Sequence, residues 1–238
     1  MEGAYDYIIE QGWEKDIPRS KVHFINNGVD LAQFDYNKEH YTVDDPDLDD
    51  PDTFKVVYTG SIRKANGVGL LLDCAECLKQ ETDIRFLIYG DGTELDALKA
   101  RKDACELDNV SFKGRVEKRA IPFVLSKSNL NLLNYEAAAA AAGLYRFGSS
   151  QNKLFEYLAS GKPLVENTKT SYDIVERYHC GSCNQLEDGA SYAAEILRIK
   201  SLPEDAYGEL CANARRAAED YDFRKLTQKL IDVIEGKA

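Results

Sequence analysis

The sequence predicts an α/β protein, a Rossmann-like doubly wound parallel sheet with helices on both faces. Three observations carry this. Short apolar, β-branched runs alternate with helical stretches of about 10–15 residues, the pattern of βαβ units. The two strongest runs, Phe54–Thr59 (FKVVYT) and Ile84–Tyr89 (IRFLIY), are rich in β-branched and aromatic residues. Each is closed by a glycine, Gly60 or Gly90, ahead of a helical pattern. Right-handed crossovers place the helices on both faces. Ligands of such sheets bind at the carboxyl ends of the strands. The loops after Thr59, Tyr89, Lys113, Leu133 and Glu166 are therefore the places to look.

In chain order, Val22–Ile25 reads as a short apolar strand, and Phe54–Thr59 as the first strong one. The helix Val68–Gln80 follows, then strand Ile84–Tyr89, then helix Glu94–Glu106 with Thr93 as its N-cap. Val110–Lys113 is a strand closed by Gly114. Arg119–Ser126 is a short helix with Pro122 in its first turn, where proline is tolerated. Strand Leu130–Leu133 precedes helix Asn152–Ser160, which Gly161 ends as a C′ residue. Strand Pro163–Glu166, helix Tyr172–Tyr178 and a small edge strand Cys180–Asn184 come next. Helices Ala190–Leu197, Asp205–Asp220 and Arg224–Ile234 close the chain. Two segments break the alternation. Asp44–Asp52 holds six aspartates and two prolines and reads as a solvated acidic loop. It lacks the glycine turn and terminal glutamate of an EF-hand. Ala137–Ala142 is a run of six alanines, too short to hold a helix alone, in a ligand-side loop.

The length of 238 residues allows one large domain or two small ones, and 44% hydrophobic residues can fill a core, which excludes wholesale disorder. Thirty Lys and Arg against 41 Asp and Glu give a net charge of −11, which argues against broad nucleic-acid binding. A local basic pocket is compatible with that average. No apolar run approaches the roughly 18 residues of a membrane span. Met1–Tyr7 has no basic or hydrophobic signal-peptide region, so the cytosol is the expected compartment. Six cysteines are then reduced thiols. The CxxC pairs Cys74/Cys77 and Cys180/Cys183 lie far apart and read as structural rather than as a zinc site.

Three loops carry chemistry. Gly60-Ser61-Ile62-Arg63-Lys64-Ala65-Asn66-Gly67 joins a buried strand to a helix, so its backbone amides, Arg63 and Lys64 suit a diphosphate, or it is an ordinary βα loop with two solvated cations. Gly90-Asp91-Gly92 begins a GxGxxG pattern, but Leu95 stands where the last glycine belongs. The strongest is Phe147-Gly148-Ser149-Ser150-Gln151-Asn152-Lys153-Leu154-Phe155-Glu156. There a Gly/Ser loop opens a helix with Lys153 near its start and Glu156 one turn on, on neighbouring positions of one face. A lysine at a helix start opposes the macrodipole, a conflict that a bound phosphate relieves. Glu156 suits paired sugar hydroxyls. The alternative is a plain surface ion pair between the two.

The run Asn152–Pro163 (NKLFEYLASGKP) resembles the signature helix of the retaining GT-B glycosyltransferases, group 1 (glycosyltransferase family 4). Ile25-Asn26-Asn27-Gly28-Val29-Asp30 with Phe34 is similar to that family's lead-in to its C-terminal domain. Thr59-Gly60-Ser61 with Asn66-Gly67-Val68, Tyr89–Gly92 and Val110–Gly114 match three further family positions in order. The resemblance implies the C-terminal half of a GT-B fold. It divides the chain into residues 1–20, linker and end of a missing N-terminal domain; 21–221, a nucleotide-sugar donor domain; and 222–238, a crossover helix. It implies a hexosyltransferase using a UDP-sugar in preference to GDP- or ADP-sugars, acting with retention and no required metal on a glycan or lipid-linked acceptor. The acceptor and the catalytic histidine would come through the missing domain, leaving no catalytic residue here and an isolated fragment that binds donor but transfers poorly. The form of the signature resembles a subgroup that builds bacterial surface polysaccharides, cytoplasmic or peripheral at the inner membrane through that missing domain.

The donor-binding residues so implied are Gly60, Ser61, Arg63, Lys64, Gly90, Arg115, Val116, Ser150, Asn152, Lys153, Leu154 and Glu156. Glu156 takes the ribose, Asn152 and Lys153 the phosphates, and Gly114-Arg115-Val116 the base. The chain departs from the family in three places. Gly148 stands for the first glutamate of its E-x7-E motif, and Ser61 and Asn66 stand for its loop arginine and lysine. Those losses leave open a non-catalytic nucleotide-binding or protein-interaction module on the same fold. A GT-B epimerase and a Rossmann dehydrogenase fit less well, because the full glycine fingerprint is absent and His23, His40 and His179 sit in no catalytic-looking setting.

Overall fold

The computed structural model describes residues 2–136, 143 and 145–237. The alanine run lies outside the described residues. Six strands form one sheet: β1 Phe54–Thr59, β2 Ile84–Tyr89, β3 Val110–Gly114, β4 Leu130–Leu133, β5 Leu164–Glu166 and β6 Gly181–Cys183. All neighbours are parallel, in the order β3-β2-β1-β4-β5-β6. The doubly wound parallel sheet read from the sequence is the one observed. The order reverses between β1 and β4, which opens a crevice beyond their carboxyl ends.

The helices are α1 Ala4–Glu10, α2 Leu31–His40, α3 Pro46–Asp49, α4 Gly69–Cys77, α5 Leu95–Ala104, α6 Ile121–Lys127, α7 Asn152–Ala159, α8 Ile174–Tyr178, α9 Gly189–Lys200, α10 Glu204–Asp220 and α11 Phe223–Ile234. Strand alternation divides the interior into two cores, one on each face of the sheet. Val57, Leu87 and Leu133 pack with Phe34 of α2, Val124 of α6, Phe155 of α7 and Ala214 of α10. Val56, Tyr58, Phe86 and Ile88 pack with Leu71 and Leu72 of α4 and Ile196 of α9. The central strands are therefore buried on both faces, which is why their sequences read as near-continuous apolar runs. No helix of the described residues is long and apolar enough to cross a membrane.

Three sequence expectations are corrected. Val22–Ile25 forms no strand. The lead-in is fixed further on, where Val29 N–H donates to Tyr221 O at 3.1 Å and Phe223 N–H to Val29 O at 2.9 Å. Gly28 is required there, since a Cβ would lie 2.1 Å from the Tyr221 carbonyl oxygen. Asp44–Asp52 is not wholly a solvated loop: Pro46–Asp49 within it forms α3, with Leu48 at 1% exposure and Asp45 also buried. Lys113 bridges Asp45 and Asp47 at 2.6 and 2.5 Å, and Tyr89 donates to Asp45 at 2.6 Å. The segment's partners come from β2 and β3, far away in sequence. Thr93 does not cap α5, whose N-cap is Glu94. Glu94 N–H donates instead to Ile62 O at 3.1 Å, and that loop-to-loop contact sets where the helix begins. Two helices, α1 and α2, were not expected from periodicity: α1 buries no residue and α2 only Leu31 and Phe34.

Candidate functional site

The loops after β1, β2 and β3 and the start of α7 enclose a cleft of about 500 Å³ at the carboxyl end of the sheet. Its walls are held by specific contacts. Tyr157, buried on α7, accepts from Thr59 N–H at 2.9 Å and donates to Thr59 O at 3.1 Å, pinning α7 to the end of β1. Gly90 has φ +153°, and a Cβ there would lie 1.8 Å from the Gly60 carbonyl oxygen. A Cβ at Gly92 would lie 2.2 Å from the Ile62 carbonyl oxygen. The glycines of the partial fingerprint thus let two loops touch each other, a requirement separate from ligand approach.

Of the sequence-derived donor residues, Gly60, Ser61, Arg63, Gly90, Arg115, Val116, Asn152, Lys153 and Glu156 line this one cleft. Three do not. Lys64 sits exposed in a 3₁₀ turn outside the lining. Leu154 is buried in the core. Ser150 gives its hydroxyl to Asn26 Oδ1 at 2.8 Å, and beside it Asn27 Nδ2 donates to Asn152 Oδ1. These amides tie the lead-in segment to the start of α7, the role that Asn26 and Asn27 take in place of a strand. Lys118, Asp91 and Ile121 line the cleft without having been expected. The only sequence signal for Lys118 was its closeness to the turn after β3.

The cleft collects four cations, Arg63, Arg115, Lys118 and Lys153, against two carboxylates, Asp91 and Glu156. It is a local basic site on an acidic chain. Lys153 and Glu156 do not form the surface ion pair weighed from the sequence. Glu156 Oε1 is 3.4 Å from the exposed Lys118 Nζ instead. Lys153 Nζ sits 4.8 Å from the centre of the Tyr58 ring and donates to Tyr58 Oη and Asn66 Oδ1, both at 3.3 Å. Among the described residues it has no carboxylate partner within ion-pair distance. Burial pushes its pKa down to about 8. Asn66 is itself oriented by Nδ2 donating to Ser61 O and Ser61 Oγ at 2.8 Å. The two neutral residues standing for the family's loop cations therefore form a bonded pair that presents an acceptor to Lys153.

The CxxC pairs fall in different cores, Cys74 on one face of the sheet and Cys180 and Cys183 on the other. They share no site, and all six cysteines are free thiols. Among the described residues one group has metal-ligand proximity, Glu166, Asp173 and Cys183, all buried and outside the cleft lining. Burial, with Asp173 close by, pushes the Glu166 carboxyl well above its usual range.

The sequence model of the family described as glycosyl transferases, group 1, matches residues 53–201. The chain is 26% identical over 148 residues to TuaH of Bacillus subtilis (strain 168), a glycosyltransferase named for teichuronic acid biosynthesis. That match spans 62% of this chain and 34% of TuaH. The fold is shared with Anabaena Alr3699/HepE, solved in complex with UDP, at a TM-score of 0.72 and 15% identity over 97% of this chain and 61% of that one. It is shared also with a TarM mutant from S. aureus, solved with Fondaparinux, alpha-GlcNAc-glycerol and UDP, at 0.67 and 18% over 93% of this chain and 41% of that one. The chain thus spans about a third of its curated relative and less than two thirds of either structure.

Proposed function

The chain belongs to the group 1 glycosyl transferases, and on that premise we propose that it is the donor half of a two-domain, retaining enzyme of glycosyltransferase family 4. It takes a UDP-sugar in the cleft, and the whole enzyme passes the hexose to a glycan or lipid-linked acceptor of a bacterial surface polysaccharide. One observation carries this reading. Lys153 is a desolvated cation with no anionic partner among the described residues, placed one turn from Glu156 in a cleft built by three loops and the start of α7. A diphosphate supplies the missing anion, and the ribose hydroxyls reach Glu156. Two structural relatives hold UDP, and TuaH is named for a surface polymer, which supports the choice of donor and product class.

In that role the departing diphosphate accumulates negative charge. Lys153 and Arg63 stabilise it without reorganising, each placed donor contributing roughly 3–4 kcal/mol in a water-poor site. No metal is required. Residues 1–20 and 222–238 then flank the donor domain of residues 21–221 and meet the acceptor domain. The exposed Tyr7, Ile9 and Trp13, with Leu230, Ile231 and Ile234 on α11, are the apolar surface offered for it. The whole enzyme works in the cytoplasm, at the inner membrane where its acceptor is lipid-linked. Gly148 in place of a glutamate favours one second reading, a nucleotide-binding module that has lost transfer. Calorimetric titration with UDP, GDP and ADP, first without metal and then with Mg²⁺, separates these readings from an unrelated use of the fold. UDP binds saturably without Mg²⁺ on our reading, and Glu156→Ala weakens it. Unchanged affinity in that variant removes Glu156 from the ribose. Robust sugar transfer by the isolated chain removes the need for a second domain.

A further inference from the structure

We propose that nucleotide binding in this cleft is coupled to proton uptake by Lys153: the free site offers its amine no anionic partner among the described residues, and a bound diphosphate supplies one. The inference rests on the donor reading above and adds to it a dependence on pH.

The geometry leads to it. A lysine ammonium keeps its proton through water or through an anion. Lys153 has lost most of the first and, among the described residues, has none of the second. Its Nζ lies over the Tyr58 ring and meets two neutral oxygens, Tyr58 Oη and Asn66 Oδ1. No ion pair reaches it from the other described residues of the cleft. From β1 comes Tyr58, whose phenol burial pushes up and keeps neutral. From the loop after β1 come Ser61 and Asn66, bonded to each other, and Arg63, a second cation of the cleft. Asp91 lines the cleft from the loop after β2, and Arg115 and Lys118 from the loop after β3. On α7 itself Glu156 is engaged by Lys118. No carboxylate among these pairs with Lys153, and burial lowers its pKa to about 8 with no opposing charge. A diphosphate hydrogen-bonded to Nζ reverses the balance, since charge-assisted N–H···O bonds form only to the ammonium. The bound amine is then fully protonated over the range where the free amine is not. By linkage, the proton it gains appears as a pH-dependent affinity.

The substitutions at Ser61 and Asn66 are what make the coupling possible. A loop arginine would hold its charge at any such pH. A single buried lysine does not. With neutral Ser61 and Asn66 beside it, Lys153 is the titratable charge of this part of the cleft, and the donor site weakens in alkali.

The test uses UDP and the wild-type chain. UDP phosphates are essentially ionised above about pH 7, so they contribute little titration of their own up to about pH 9. Affinity is measured calorimetrically across that range, at each pH in two buffers of different ionisation enthalpy. We expect UDP to bind about tenfold more weakly at about pH 9 than at about pH 7. The heats in the two buffers diverge as a proton is drawn from buffer. In Lys153→Arg, whose side chain stays charged, the slope and the divergence both vanish whatever its absolute affinity. Binding that is flat with pH and equal in heat between buffers overturns the inference and leaves the donor reading standing. No UDP binding at any pH overturns the donor reading, and this inference with it.

Discussion

Lys113 and Lys153 stand at the same end of the sheet, and the structure treats them in opposite ways. Lys113, at the end of β3, lies between Asp45 and Asp47 at 2.6 and 2.5 Å. It loses water on burial, but the hydrogen bonds and charges of those aspartates outweigh that loss and raise its pKa. Lys153, on the first turn of α7, loses water with no such return, and its pKa falls. Both are partly buried cations beside a cluster of loops, Lys153 the more desolvated of the two. The partner, together with the burial, separates a structural lysine from one waiting for a ligand. A paired buried charge completes a contact within the fold, whereas an unpaired one costs stability unless something outside supplies its anion.

The contrast is sharpest under substitution. Lys113→Met leaves the buried Asp45 carboxylate with Tyr89 and the Asp47 amide as donors but no cation, and should cost about 3 kcal/mol of stability by chemical denaturation. Lys153→Met should do the reverse. UDP affinity drops by about 10- to 100-fold, the loss of one or two charge-assisted bonds, while the melting temperature holds or rises. A Lys153→Met chain that melts lower than wild type would show that the amine is a structural part after all.

The two lysines also give opposite pH signatures. Lys113 has a folded pKa above its unfolded value. Its contribution is fully present below the unfolded value and is lost as pH rises through the folded one. Asp45 has a folded pKa below its unfolded value. Its contribution is present above the unfolded value and is lost as pH falls through the folded one. Lys153 has a folded pKa of about 8, below its unfolded value, so between the two the unfolded chain binds more protons. Stability contributed at this position therefore rises with pH above about 8. Across that range wild type should gain stability relative to Lys153→Met as pH rises. The smallest effect belongs to the exposed Lys118–Glu156 pair at 3.4 Å. Lys118→Ala should move stability by no more than about 0.5 kcal/mol, because the ion pair sits in water.

Much of this was legible in the sequence, because local signals and tertiary structure agreed there. The strands Phe54–Thr59 and Ile84–Tyr89 kept their expected bounds, since strands buried on both faces cannot be mistaken for amphipathic ones. Gly161, at φ +65°, ends α7 as a C′ glycine should. What was not legible depended on distant partners. Asp45 looks like any aspartate in an acidic run until Lys113 and Tyr89 arrive from β2 and β3. Lys153 and Glu156 look like an i,i+3 pair until Asn66 draws one away and Lys118 the other. Leu154, taken for a donor contact through the family motif, turns inward, because helix periodicity puts it on the core side beside Phe155 and Leu158. The site's walls were written locally, and its electrostatics were written between loops.

The most direct test is a UDP titration of wild type and Lys153→Met side by side, with the melting temperature of each. Our account predicts one saturable site in the wild type, at least tenfold weaker in the variant, with no loss of thermal stability. Equal affinity in the two chains would contradict it, because the unpaired amine would then not be the place where the nucleotide's charge is met.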